Sequence, residues 1–370
     1  MNEKRALFCT PTMPELDRES GSRRLYNLLE YLLHDGWAVT LMVREPEGGD
    51  RARRELHQLG VPVYRGYDDR VTDAIANSWF DLAVVAFWYI AEELVPLIRS
   101  LSPETRIVLD SVDLHFLRRS RQHAGSAGKG MRGRLDGATG EEFYREINAY
   151  LTADRVLTVS RKEADLVDDL TGVAGLAVAV PDAESLDRSP FGFAERSGTL
   201  FLGNFRHPPN PEALEWLCTD ILPLVDPDLL RANPLQVVGN ALDLRYSAMI
   251  RSIPGGKAIG WVPEVTPYIS RARVMVAPLR HGAGTKRKIL QALMCGTPTV
   301  TTTIGAEGLP VRDGEGLLVR DDAAGFAAAV EQVLTDRALW ERLAETGHAR
   351  ISAVHSEAAV RAGFIEEIAA

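Results

Sequence analysis

The chain has 370 residues, of which 45% are hydrophobic and 25% charged, and carries a formal net charge of -9. That length exceeds what one core usually fills and predicts two domains, and the composition is that of a protein burying full cores rather than of a disordered chain. The acidic balance argues against duplex nucleic acid or an anionic membrane as the main partner, since either calls for an excess of Lys and Arg.

Short apolar runs alternate with helical patterns from the start, the rhythm of an α/β chain with parallel sheets covered by helices. The expected strands of the first half are Ala6–Thr10, Ala38–Val43, Val61–Tyr64, Leu82–Phe87, Ile107–Leu109 and Val156–Val159. Between the first two, Leu25, Leu28, Leu29, Leu32 and Leu33 recur at helical spacing. Gly125–Gly140, rich in Gly and Arg, reads as a surface loop that could touch substrate. Residues 182–197 carry Pro, Asp, Ser and Gly and read as a linker between a first domain at 1–181 and a second at 198–350. Second-half strands are expected at Thr199–Leu202, Leu235–Val238, Ala258–Val262, Val274–Leu279 and Thr299–Thr303, and the terminal helix within 351–370 is expected to return to the first domain.

Cys9, Cys218 and Cys295 lie far apart without a CxxC pair, so neither a zinc site nor a disulfide framework is indicated, and a reducing, cytoplasmic setting is the expectation. Met1–Arg5 is polar and leads straight into a strand-like stretch, which is not how a signal peptide reads. The longest apolar run, Leu82–Ile98, is broken by Glu92 and Glu93, so an integral membrane segment is not expected, while peripheral membrane contact stays open.

The segment Pro278–Val300 carries the clearest chemistry. A strand leads into a turn containing Gly282 and Gly284, and Ile289, Leu290, Leu293 and Met294 then recur at helical spacing. Glycines permit close backbone approach, Thr285 is a candidate cap, and a helix start offers free N–H groups and the positive end of a dipole. Lys286, Arg287 and Lys288 put cations where they oppose that dipole, which fits a bound diphosphate better than helix stability. Arg287 reads as a surface residue, and Lys286 and Lys288 are not ranked. A solvated basic helix start is the plainer alternative.

In the first half, the turn Ser20-Gly21-Ser22-Arg23 follows the first strand, where backbone donors can meet a diphosphate or an acceptor; an ordinary helix cap is the other reading. Asp113 and His115 follow the fifth strand at its carboxyl end, the region where open α/β sheets place ligands, so one of them is expected to face a sugar as a catalytic group. A histidine there can equally be structural. No His, Asp and Cys set has metal-ligand spacing, and no Ser-His-Asp elbow is present. A dinucleotide fingerprint is missing after the first strand, where the turn reads Thr10-Pro-Thr-Met-Pro14.

The segment Pro278–Val300 resembles the signature of glycosyltransferase family 4, as do Phe201–Asn210, Ile259–Glu264, Ile304–Leu309, Asp17–Leu25 and Val108–Leu117. The resemblance implies a GT-B fold, two Rossmann-like doubly wound domains facing across a cleft. It also implies a metal-independent, retaining transfer of sugar from a nucleotide-diphosphate donor to a hydroxyl acceptor, in polysaccharide or natural-product glycosylation. The second domain would hold the donor and the first most of the acceptor. Gly203 would let the diphosphate approach, with Arg206 and Lys286 as its partners, and the backbone around Trp261 and Val262 would read the base, the Trp261 side chain being as readily a packing aromatic. His281, Gly282, Ala283 and Glu307 would serve the donor sugar, Glu307 being otherwise an exposed turn residue. A Glu-x7-Glu pair typical of the family is replaced by Ala283 and Gln291, the latter at the ribose position. A catalytically weakened nucleotide-sugar-binding partner subunit is the alternative this replacement leaves, and an epimerase acting on the donor alone is a further rival.

Overall fold

Long buried runs fix the two sheets. In the computed structural model the first sheet consists of β1 (Arg5–Thr10), β2 (Ala38–Val43), β3 (Val63–Arg65), β4 (Leu82–Ala86), β5 (Arg106–Asp110), β6 (Arg155–Thr158) and β7 (Ala177–Ala179). Their order is β3-β2-β1-β4-β5-β6-β7, every pair parallel. The second sheet consists of β8 (Thr199–Leu202), β9 (Leu235–Val238), β10 (Lys257–Gly260), β11 (Val274–Ala277), β12 (Thr299–Thr301) and β13 (Leu317–Val319), in the order β10-β9-β8-β11-β12-β13, again all parallel. The structure describes residues 4–14, 20–45, 47–120, 137–282 and 285–369.

The chain divides into two units, Met1–Ala183 with Glu357–Ala370, and Glu184–Ser356. In each sheet the strand order reverses beside the first strand, β1 against β4 and β8 against β11. Ligands of doubly wound folds sit outside the carboxyl ends of the strands at that reversal. Central strands such as β4, buried at every residue, read as unbroken apolar runs because helices cover both faces.

Helix Ser20–His34 lays Leu25, Leu28, Leu29 and Leu32 into the core shared with β1 and β2. The last helix, Glu357–Ala369, packs Phe364 into the same core, its ring 6.4 Å from that of Tyr31. Arg106 donates to the carbonyls of Ile368 (2.8 Å) and Glu367 (3.1 Å), tying the helix end to β5.

Several boundaries differ from the sequence reading. The expected linker 182–197 is mostly built into the second unit, because buried Arg196 donates to Phe191 O (2.9 Å), Thr297 Oγ1 (2.6 Å) and Cys295 O (3.2 Å). Its Pro and Gly content marks irregular backbone held by a guanidinium rather than loose chain. Of the expected loop Gly125–Gly140, residues 121–136 lie outside the described residues, and Gly137 onward opens helix Gly137–Leu151. β10 stops at Gly260, whose φ of 80° breaks the strand before Val262. β12 stops at Thr301, because Thr302 caps helix Thr303–Ala306 through Gly305 N–H at 3.0 Å.

Candidate functional site

The carboxyl ends of β8, β9 and β10 are crowded by glycine. Gly203 N–H donates to Val238 O (3.1 Å) and Gly239 N–H to Gly260 O (2.8 Å). Gly239 has φ 152°, and a Cβ there would fall 1.7 Å from Gly203 O; one on Gly203 would fall 2.9 Å from Cγ of Asn210. Only glycine lets these backbones approach so closely. Beside them lies a cavity of about 310 Å³ whose walls include Gly203, Gly239, Trp261, Val262, Lys288 and Gln291.

Lys288 dominates its electrostatics. Its ammonium donates to Leu202 O (2.6 Å) and to Asn210 Oδ1, and lies 5.3 Å from the Phe201 ring centre. Asn210 donates its amide N–H to Asn204 O (2.9 Å), which turns its oxygen toward the lysine. Burial, with a smaller contribution from the like charge of Lys286, lowers the Lys288 pKa to about 7. The structure thus ranks the two lysines by placement: Lys288 lines the cavity, whereas Lys286 is buried at the N-cap of helix Arg287–Met294.

Arg287 is not the surface residue that adjacent helical positions led us to expect. Its Nε donates to Glu184 Oε2 at 3.0 Å, and Glu184 is buried. Thr285 does not cap: its Oγ1 is buried with no hydrogen-bond partner among the described residues. Gly282 has φ 137°. His281 Nδ1 lies 3.2 Å from Glu212 Oε2, and Arg206 is exposed, its N–H donating to Asn204 Oδ1 at 3.1 Å. Trp261 is 68% exposed, so it is not a packing aromatic, while Val262 packs on the cluster of Leu202, Val238 and Ile269. Glu307 is partly buried at the end of helix Thr303–Ala306. Ala283 and Gly284 lie outside the described residues.

In the first unit a cavity of about 490 Å³ opens at the β1/β4 reversal, with Thr12, Gly21, Ser22, Arg44, Glu45, Phe87 and Tyr89 among its walls. Residues 17–19 of the segment Asp17–Leu25 lie outside the described residues. Arg24 is a core residue: it grips Asp110 through Nε (2.9 Å) and Nη2 (3.0 Å) and donates to Val180 O (2.7 Å). His115 and Asp113 form a chain. Trp88 Nε1 donates to His115 Nδ1 (3.2 Å), which leaves Nε2 to carry the proton toward Asp113 Oδ1 at 3.3 Å, and Arg118 donates to Asp113 Oδ2 at 2.5 Å. Neither residue lines the cavity, yet the His115 ring lies 5.6 Å from Phe87 and 5.9 Å from Tyr89, which do.

Sequence reasoning missed Gly239, Asn210 and Glu146. Glu146 is buried and accepts from His115 N–H (2.9 Å), Phe116 N–H (2.8 Å) and Tyr150 Oη (2.6 Å), so it fixes the backbone carrying His115. Burial raises its pKa. A signal for Gly239 was available, since Leu202-Gly203-Asn204 recurs as Val238-Gly239-Asn240 after the neighbouring strand. Among the described residues no group of three or more His, Cys, Asp or Glu could hold a metal ion, and no helix is long and apolar enough to cross a membrane.

This architecture has known counterparts. Residues 196–336, within the second unit, match the family described as glycosyl transferases group 1. Over 131 residues the chain is 33% identical to the lipopolysaccharide core biosynthesis glycosyltransferase LpsE of Rhizobium meliloti, a match spanning 35% of this chain and 36% of LpsE. Anabaena Alr3699/HepE in complex with UDP superposes with a TM-score of 0.72 at 13% identity, covering 99% of each chain. Its complex with UDP-glucose gives 0.69, also at 13% identity with 99% of each chain covered. Sucrose-phosphate synthase of Thermosynechococcus elongatus gives 0.69 at 16% identity, covering 99% of this chain and 98% of that one. The fold is that of the GT-B glycosyltransferases.

Proposed function

We propose that the protein transfers a glycosyl group from a nucleoside-diphosphate sugar, held by the second unit, to a hydroxyl acceptor with retention at the anomeric carbon. The observation that carries this reading is the cavity at the ends of β8 to β10, where the Gly203 and Gly239 backbones meet the Lys288 ammonium inside the matched domain. Support comes from the UDP and UDP-glucose bound to HepE and from the activity for which LpsE is named.

In the reaction, the acceptor oxygen forms a bond to the anomeric carbon as the bond from that carbon to the phosphate oxygen breaks. The diphosphate leaves with the electron pair and takes up the acceptor's proton. Lys288 meets the developing negative charge, and the glycine-lined strand ends let the diphosphate come close to it, so the chemistry asks for no metal. Gln291 faces the ribose and Trp261 the base. Three buried, unpaired cysteines fit a reducing, cytoplasmic setting.

The test is transfer from a panel of nucleoside-diphosphate sugars to saccharide acceptors in EDTA, with product anomers read by NMR. Retained configuration and activity unchanged by EDTA are expected. Inverted product, or complete loss restored by a divalent metal, would overturn the mechanism.

A further inference from the structure

A lysine ammonium rides on a flexible stem, so it keeps one place only where fixed acceptors hold it. Lys288 has two, and both are neutral: the carbonyl of Leu202 at 2.6 Å and Oδ1 of Asn210. Among the described residues it makes no ion pair. An ammonium carries three N–H donors, so one is left for a ligand in the cavity that Lys288 lines.

The backbone around Asn210 is arranged to present that oxygen. Asn210 is the second residue of helix Pro209–Trp216 and is buried, and its amide N–H donates to Asn204 O at 2.9 Å, which leaves Oδ1 to accept. The same carbonyl accepts from His207 N–H at 3.1 Å, and Asn210 N–H donates to His207 O at 3.0 Å, so the turn before the helix and the amide form one network. Gly203 makes room for it, since a Cβ there would lie 2.9 Å from Cγ and 3.0 Å from Cβ of Asn210. Glycine at 203 therefore serves Asn210 as well as a bound ligand.

The residue type at 210 decides what the cation can do. A carboxylate would hold the ammonium but cancel its charge, so an arriving diphosphate would gain little from it. An apolar side chain would leave the ammonium only Leu202 O and a choice of rotamers that binding must then freeze out. The amide fixes the ammonium and leaves its charge for the ligand. The other charged groups near it are Lys286 on its own helix and, on helix Pro209–Trp216, Glu212, which lies 3.2 Å from His281; Lys288 is the only ionisable residue among the described walls of the cavity.

We propose that Asn210 is a positioning residue for the donor diphosphate, holding the Lys288 ammonium at the end of β8 without neutralising it. The inference rests on the transferase reading and names the residue that sets the lysine's grip within it. Asn210 acts through Lys288 and need not touch the donor.

A double-mutant cycle tests it: isothermal titration of UDP at pH 6.5 against the native chain, Asn210→Leu, Lys288→Met and the double variant, with thermal midpoints to show that each is folded. Asn210→Leu should weaken UDP by tenfold or more in the native background and by less than twofold in the Lys288→Met background, where there is no ammonium left to place. A second variant, Asn210→Asp, reads the charge itself. Its carboxylate keeps Lys288 protonated in the free protein at pH 8, so UDP binding there should take up almost no proton, whereas the native protein should take up close to one. Native UDP affinity in Asn210→Leu, an equal loss in both backgrounds, or undiminished proton uptake in Asn210→Asp would overturn the positioning role and leave the transferase reading standing. If the native chain does not bind UDP, both fall.

Discussion

The side-chain nitrogen of Lys288 lies 2.6 Å from the carbonyl oxygen of Leu202, the last residue of β8. The bond pins a cation to the strand end where Gly203 begins the cavity wall. A lysine so enclosed gives up part of its preference for the charged form, and an arriving anion restores it.

That restoration is measurable as proton uptake. The Lys288 pKa is lowered from its ordinary 10.5 to about 7, so at pH 8 the free protein holds this amine mostly neutral. A diphosphate beside it favours the ammonium and raises the pKa again. Calorimetric titration with UDP at pH 8, in buffers of different ionisation enthalpy, should show uptake approaching one proton. Affinity should fall by up to about tenfold per pH unit above 7 and level off below it. The sign for stability follows from the same shift: between pH 7 and 10.5 the unfolded chain holds the proton more tightly, so this group makes stability rise with pH in that window.

Gly239→Ala should be poorly tolerated. Its Cβ would overlap Gly203 O at 1.7 Å, backbone against backbone, at a φ of 152° that alanine resists. Overpacking of this kind costs about 1–3 kcal/mol or more, and urea unfolding should show a loss at or above that range. Gly60→Ala is a useful control, because nothing lies within 4 Å of its Cβ position and only the strain of φ 80° is tested.

Asp110→Asn should destabilise the first unit through Arg24. Both side chains are buried and doubly hydrogen-bonded, and removing the Asp110 charge leaves the guanidinium only Val180 O and the carboxylate of Asp182, whose Oδ1 lies 3.3 Å from Nη1. A loss of about 3–5 kcal/mol is expected for breaking a buried pair. Urea midpoints for the native protein and the variant check it, and a change under 1 kcal/mol would show that the Val180 carbonyl and Asp182 suffice to hold the guanidinium.

Strands buried on both faces were legible because continuous apolar runs need no period to be seen; β2, β8 and β9 fall where the sequence reading put them. β7 and β13 were not, since three residues at a sheet edge carry no pattern beyond their composition. Gly203 and Gln291 could be proposed for the cavity from the motifs around them. The choice between Lys286 and Lys288 could not be made, because it depends on where the helix starts: with Lys286 rather than Thr285 at the N-cap, Lys288 reaches back to β8. Arg287 was misread for a different reason, its partner Glu184 lying 103 positions away in a stretch that looked like free chain.

Gln291 lines the cavity at the position proposed for the ribose. An amide offers one neutral acceptor and one donor, whereas a carboxylate accepts two charge-assisted bonds. Gln291→Glu should therefore tighten UDP by roughly 1 kcal/mol and leave thymidine diphosphate, with one ribose hydroxyl fewer, closer to its native affinity. Titrating both nucleotides against both proteins decides it; equal effects on the two would remove Gln291 from donor selection.

In the proposed function the ends of β8 to β10 hold a nucleoside diphosphate through Lys288. Isothermal titration of UDP at pH 6.5 against the native protein and Lys288→Met, with matched thermal midpoints, tests it most directly. Saturable binding to the native protein and a loss of about 1.5–3 kcal/mol in the variant are expected, the usual value of a hydrogen bond to a charged group. Equal affinity in the two proteins, or no binding of UDP to the native chain, would contradict it.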